Sequence, residues 1–140
     1  MKKYQDIAAL LLRLALAFGF LSAVASRLDL WGKHSSGWIN FLTYTGEVNS
    51  FVPAAAVPVL AILSTILESS LGVLLLVGFK TRYAASASAI LTLLFALAMA
   101  ISFGIKEPLD YSVFVCSAAA FLLAGISQYR WSIDEVLQKG

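Results

Sequence analysis

The feature that most constrains the fold of this chain is a set of four long apolar runs that carry almost no charge. They cover residues 7–28, 57–79, 83–105 and 111–127. Away from its ends, the first run contains one charged residue, Arg13, and the second contains only Glu68. A helix needs about 20 residues to cross the hydrocarbon core of a bilayer, and these runs lack the alternation of barrel strands. The sequence therefore predicts a single all-α domain over residues 1–140, a transmembrane four-helix antiparallel bundle.

The composition supports a membrane protein and excludes several other classes. Hydrophobic residues make up 60% of the chain and charged residues 13%, whereas an average soluble domain has about 25% charged residues. A soluble globular enzyme and a disordered chain are therefore excluded. Ten basic and eight acidic residues give a formal net charge of +2, which forms no basic patch for nucleic acid. The expected partner is the lipid bilayer.

Lysine and arginine residues in the flanks of the runs predict the orientation. Six lie on the side of the N-terminus, namely Lys2, Lys3, Lys80, Arg82, Arg130 and Lys139, and three on the other, namely Arg27, Lys33 and Lys106. Because basic residues collect in short cytoplasmic segments, we expect both termini in the cytoplasm. We expect the membrane to be the inner membrane of a bacterium. An alternative is that the first run is a signal peptide cleaved after Ala23–Ser26, but Arg13 and Asp6 argue against it.

A long connection of about residues 29–52 follows the first run and is predicted to hold a short helix. Ser35 or Ser36 would cap it, and its apolar face would consist of Trp38, Ile39, Phe41 and Leu42. Such a helix lies on the outer membrane surface. The alternative is a lid over a ligand site. The other two connections, residues 79–82 and 106–110, are short enough to force antiparallel neighbours.

Cysteine and histidine are nearly absent from the chain. Cys116 and His34 are the single residues of their types. A disulfide, a C-x-x-C redox pair and bis-histidine haem ligation within one chain are therefore excluded, and zinc or di-iron clusters lack a ligand set. We expect no metal site and no cofactor held by the chain itself.

Arg13 and Glu68 are the candidate functional residues, because an ionisable group inside a span costs about 2.5 kcal/mol or more and needs a partner. Ser64 and Gly72 share a helical face with Glu68 and complete the set of buried polar or ligand-binding candidates. One hypothesis is an Arg–Glu pair that locks the bundle core. Another is a site for the polar head of a lipophilic ligand, or a proton relay. A third is an interface with another subunit, including a homo-oligomer. The catalytic residues, if the chain is an enzyme, are unknown.

Small residues recur at helical spacing in each run, in two cases around Arg13 or Glu68, and they predict close packing. The sets are Ala9, Arg13 and Ala17; Ser64, Glu68 and Gly72; Ser88, Thr92, Ala96 and Ala100; and Cys116, Ala120 and Ala124. Faces of this kind let membrane helices approach closely. We expect them to point into the bundle.

The chain resembles the DoxX-like family of small four-helix membrane proteins over nearly its whole length. Three blocks carry the resemblance: Leu12-Arg13-Leu14-Ala15-Leu16-Ala17 leading to Phe20 and Arg27-Leu28, the segment from Glu68 and Gly72 through Gly78-Phe79 to Thr81-Arg82, and the segment from Gly104 to Ser112. The resemblance implies that Arg13 and Glu68 are the family's intramembrane charged positions. The resemblance does not identify a catalytic residue in this chain.

The resemblance also implies a redox context, since some members are subunits of quinone-linked oxidoreductases. It favours an accessory subunit that acts with a membrane redox partner protein. The alternative is a quinone-dependent oxidoreductase subunit that binds the quinone head at Arg13 and Glu68. A small transporter is the weaker alternative, because no broken helix or internal repeat marks a transport site.

Overall fold

A computed structural model describes residues 2–139 of the chain. Within this part, seven α-helices are present: α1 (Lys2–Arg27), α2 (Trp38–Val48), α3 (Val57–Val77), α4 (Thr81–Phe103), α5 (Lys106–Asp110), α6 (Val113–Ala124) and α7 (Ile133–Lys139). Short 3₁₀ turns, Gly32–His34 and Ala54–Ala56, precede α2 and α3. No strand occurs among these residues. The predicted all-α class is confirmed.

Three of the four predicted spans have helices of sufficient length. α1, α3 and α4 are long and apolar enough to cross a membrane. α6 is apolar but has only 12 residues, roughly 18 Å, against a hydrocarbon core of about 30 Å. It begins after Ser112, whose φ of 56° is left-handed, and ends at Ala124. The bundle of membrane helices is confirmed, whereas a fourth complete span over residues 111–127 is not.

The four longer apolar helices pack in the ring order α1, α3, α4, α6. The most extensive contacts join α1 to α3 and α4 to α6, and smaller ones join α3 to α4 and α1 to α6. Ala17, Ser88 and Ala96 are fully buried, which confirms that the small faces point inward. Across the α4–α6 contact, the Ser117 hydroxyl donates to the backbone oxygen of Ala89 at 2.8 Å.

The predicted helix in the long connection is present as α2 and packs against α3 and α4. The predicted serine cap is wrong. Gly37 precedes the helix with φ 76°, and no side chain caps the first turn. The backbone oxygen of Ser36 accepts a hydrogen bond from the side-chain Nδ2 of Asn40 at 2.7 Å, a contact that caps no backbone N–H group of the helix.

The chain after α6 folds back onto the end of the bundle where α1 begins. The Tyr129 hydroxyl donates to the backbone oxygen of Leu123 in the last turn of α6 at 2.9 Å, in addition to the Ile126 N–H that this oxygen accepts at 3.2 Å. This arrangement and α7 were not among the predicted elements. They lie at one end of the bundle, and α2 lies at the opposite end.

Candidate lipophilic ligand site

Glu68 on α3 forms an ion pair with Arg27, the last residue of α1. Nη2 of Arg27 donates to Oε2 of Glu68 at 2.8 Å, and Nη1 donates to Oγ1 of Thr65 at 3.3 Å. The ring centroid of Phe41 on α2 lies 3.8 Å from Cζ of Arg27, a cation–π contact. The two charged side chains are only 11% and 15% exposed. The guanidinium is therefore held by a carboxylate, a hydroxyl and an aromatic face.

The predicted pairing of Glu68 with Arg13 is wrong. Gly78 at the end of α3 lies directly against the Arg13 guanidinium. Glu68 precedes Gly78 by ten residues, which is roughly 15 Å along a helix. Helical side chains also lean toward the N-terminus of their own helix, so Arg13 and Glu68 lean toward opposite ends of the antiparallel pair. The same lean brings Glu68 to Arg27.

Arg13 lies at the end of the bundle that carries the termini. It is 3% exposed, and its Nη2 donates to the backbone oxygen of Trp131 at 2.7 Å. Its buried Nε has no hydrogen-bond partner. Gly78, with φ 69°, allows this approach, because a Cβ there would lie 2.5 Å from Nη1 of Arg13. Arg13 thus joins α1, the α3–α4 turn and the C-terminal segment.

Residues 129–135, which we call the C-terminal clasp, bind the α3–α4 turn through Asp134. Its two carboxylate oxygens accept the backbone N–H groups of Lys80 and Thr81, each at 2.7 Å. Its own N–H donates to the oxygen of Gly78 at 2.9 Å. The carboxylate therefore caps the N-terminus of α4 from a distant part of the chain.

A cavity of about 720 Å³ lies on the side of the bundle that holds the Arg27–Glu68 pair. This volume is within the range of about 300–1,000 Å³ that is usual for small-molecule sites. Its walls come from α1, α3, α4 and α6 and are mostly apolar, with Leu16, Phe20, Leu67, Leu91, Phe95 and Cys116 among them. The helices thus border a partly open space suited to a lipophilic molecule.

The polar groups of the cavity include the ion pair and several uncharged side chains. Thr45, Asn49 and Ser64 line it together with Arg27 and Glu68. Among the described residues that line the cavity, Arg27 and Glu68 are the only charged ones, and their charges neutralise each other. A carboxylate or phosphate head would therefore find no uncompensated positive charge. The site favours an uncharged head with hydrogen-bonding groups.

α2 covers the end of the cavity nearest the ion pair. Phe41, Tyr44 and Thr45 from this helix line the cavity, and the Tyr44 ring lies 6.4 Å from that of Phe95. Burial, assisted by nearby phenol and carboxylate groups, raises the pKa of Tyr44, whose hydroxyl is an uncharged donor at neutral pH in any case. α2 therefore has the position that a lid requires.

The four predicted site residues are not brought together. Ser64 and Glu68 line the cavity. Gly72 packs in the α1–α3 contact, where a Cβ would lie 2.8 Å from Cγ of Leu21. Arg27 is the residue that the prediction missed, because its position at the end of an apolar run is typical of a flanking charge. The outward lean of Glu68 was the signal that could have identified it.

Comparison with known proteins identifies the family. A model of the DoxX family matches residues 8–101, more than half of the chain. Among curated proteins and among solved structures, none matches. The matched segment contains Arg13, Arg27 and Glu68, and it extends from α1 into α4. The chain belongs to the DoxX family.

Proposed function

We propose that this protein is an accessory subunit of a membrane redox complex and that it binds a quinone in the cavity between its helices. The observation that carries the proposal is an apolar cavity of about 720 Å³ whose charged groups are one self-neutralised ion pair. A quinone has an uncharged ring with carbonyl acceptors and a long apolar tail. The ion pair can bind the ring with its carbonyl acceptors, and the apolar walls can contact the tail.

Within this proposal, Arg27 binds the quinone head and Glu68 positions Arg27. A guanidinium has five N–H donors, and Glu68 and Thr65 each accept a hydrogen bond from it. Further donors are available for a quinone carbonyl. The Glu68 carboxylate can in turn accept an O–H from the reduced, quinol form. We assign electron transfer to a partner protein, because the chain has one cysteine and one histidine from which to build a redox centre.

We also propose the orientation in a bacterial inner membrane. Both termini and the C-terminal clasp would face the cytoplasm, where six flanking basic residues would lie against three on the other side. The cavity and α2 would then lie in the outer half of the bilayer. A quinone would bind with its head toward the outer surface.

Cys116 makes the proposal testable, since it is the single cysteine and it lines the cavity. The protein in lipid nanodiscs would be treated with N-ethylmaleimide, and alkylation would be followed by intact mass. We expect a benzoquinone with four ring substituents, one of them a decyl chain, to slow alkylation in a saturable manner. Decylbenzene, which has the tail without the carbonyls, should not protect. Equal alkylation with and without the quinone would refute the proposal.

The double variant Arg27→Met/Glu68→Leu tests the role of the ion pair without leaving a buried charge unpaired. Hydrogen bonds to charged groups contribute about 1.5–3 kcal/mol, so the half-protecting quinone concentration should rise about tenfold or more. A matched control is Lys106→Gln/Asp110→Asn, which removes the exposed pair of α5. Equal protection in both double variants would exclude the ion pair as the head site.

A further inference from the structure

The cavity is open on the side where α1 faces α6. Ala15 and Gly19 of α1 and Val115 and Ala119 of α6 line it there. Ala15 and Gly19 are exposed, and Val115 is 67% exposed. A Cβ built on Gly19 would meet no atom within 4 Å. The two helices therefore leave a gap at this level, and small side chains border it on both sides.

The depth of this gap identifies what lies outside it. Gly19 precedes Arg27 by eight residues, roughly 12 Å along α1. If Arg27 lies near the end of the span, Gly19 is within the hydrocarbon layer. The gap therefore opens to lipid chains rather than to water, at a distance from the ion pair that an apolar tail can bridge.

The other sides of the cavity are closed or bordered by large side chains. The α1–α3 contact is tight at Gly72, where a Cβ would lie 2.8 Å from Cγ of Leu21. The α4–α6 contact is joined by the hydrogen bond of Ser117. Between α3 and α4 the lining residues include Leu67 and Phe95, and α2 packs on both helices. The α1–α6 side is bordered by small side chains, whereas the exposed large side chains of Leu67 and Phe95 border the α3–α4 side.

We infer that the gap between α1 and α6 is a lateral portal, through which a quinone enters from the bilayer and in which its tail remains while the head lies at Arg27. This inference rests on the proposed function. A polyisoprenyl tail is longer than the cavity can contain, so it needs an exit into lipid. Since lipid tails are as apolar as the portal, the portal admits the tail without adding affinity.

The test fills the portal from each side. Gly19→Leu and Ala119→Leu add bulk from opposite helices, and the open space around Gly19 lets the first variant fold. Ala118→Leu, an exposed position of α6 outside the cavity lining, is the matched control. Native mass spectrometry of protein released from nanodiscs would count the bound molecules of a polyisoprenyl benzoquinone and of its tail-free counterpart.

We expect Gly19→Leu and Ala119→Leu to raise the half-saturating concentration of the polyisoprenyl quinone at least tenfold. That of the tail-free quinone should change less than twofold, and the control should leave both unchanged. If the wild type binds both quinones and the portal variants do too with unchanged affinity, the portal is refuted and the binding site stands. If the wild type binds neither, the proposed function itself is refuted. If Leu67→Trp on α3 gives the tail-selective loss instead, the entry lies between α3 and α4, and the inference is overturned.

Discussion

At the scale of single residues, we expect substitution of Arg27 or Glu68 to lower the free energy of unfolding strongly. Removing one partner of a buried ion pair leaves the other charge uncompensated, which costs about 3 kcal/mol or more. We therefore expect Glu68→Gln to lower the free energy of unfolding by about 3 kcal/mol. Arg27→Met/Glu68→Leu should recover most of this loss, because neither charge remains. Reversible unfolding in mixed micelles would measure both.

Lys106 and Asp110 provide the control for this prediction, since they form an ion pair that is exposed rather than buried. Their side chains are 81% and 52% exposed, and such surface pairs contribute between about 0 and 1 kcal/mol. Asp110→Asn should therefore change stability little. If the Arg27/Glu68 double variant is no more stable than Glu68→Gln, the pair does not act as a unit.

The site was predictable in part from single residues. Glu68 stands out because a carboxylate inside an apolar run needs a partner. Its partner was not predictable from depth alone, since the depths of Arg13 and Glu68 differ by only about 6 Å when each is counted from its own run boundary. Side-chain lean separates the two candidates. The cavity depends on how the helices diverge, and the apolar runs contain no signal for that.

At the scale of elements, the C-terminal clasp adds a pH dependence. Glu135 accepts hydrogen bonds from Lys139 at 2.6 Å and from the N–H of Trp131 at 2.7 Å, and these hold its pKa below the ordinary 4.5. A lowered carboxyl pKa stabilises the folded clasp above the ordinary value. That contribution is lost as pH falls through the folded pKa. We therefore expect the clasp to loosen below about pH 4.5.

The emission of Trp131 would report this transition in a Trp31→Phe/Trp38→Phe background. We expect a shift toward a more solvated spectrum on acidification. Glu135→Gln removes the titrating group, so it should give the acid-like spectrum already at neutral pH and show little further change. An unchanged acid transition in Glu135→Gln would assign the pH dependence to another group.

The long elements followed from the sequence more readily than the short ones. Runs of more than twenty apolar residues predict α1, α3 and α4, since lipid leaves the backbone few other conformations. α6 is shorter than its apolar run because it begins after the left-handed Ser112 and ends at Ala124, three residues before the run does. α7 is held by Asp134 and Arg13 through contacts distant in sequence. Periodicity does not encode such contacts.

At the scale of the whole molecule, the proposed orientation places α2 and the termini on opposite sides of the membrane. Lys33→Cys and Gln138→Cys, both exposed positions, would be made in a Cys116→Ser background. A membrane-impermeant maleimide added to spheroplasts should label residue 33 at once. It should label residue 138 only after permeabilisation.

A permeant maleimide is the control for this labelling, because it should reach both cysteines and so shows that each can react. Labelling of residue 138 in intact spheroplasts would show that the orientation is the reverse of the one proposed. The cavity would then open toward the inner half of the bilayer, although its lining and its ion pair would be unchanged.

The shortness of α6 has a mechanical consequence for the surrounding lipid. This helix is roughly 12 Å shorter than a hydrocarbon core of about 30 Å, while α1, α3 and α4 match or exceed it. Hydrophobic mismatch of this kind costs fractions of a kcal/mol per Å and is relieved by local thinning of the bilayer. We therefore expect the protein to thin the bilayer on the flank of α6 only. Two molecules that place these flanks together would share one deformation, so we expect membrane elasticity to favour their association before any side chain makes contact.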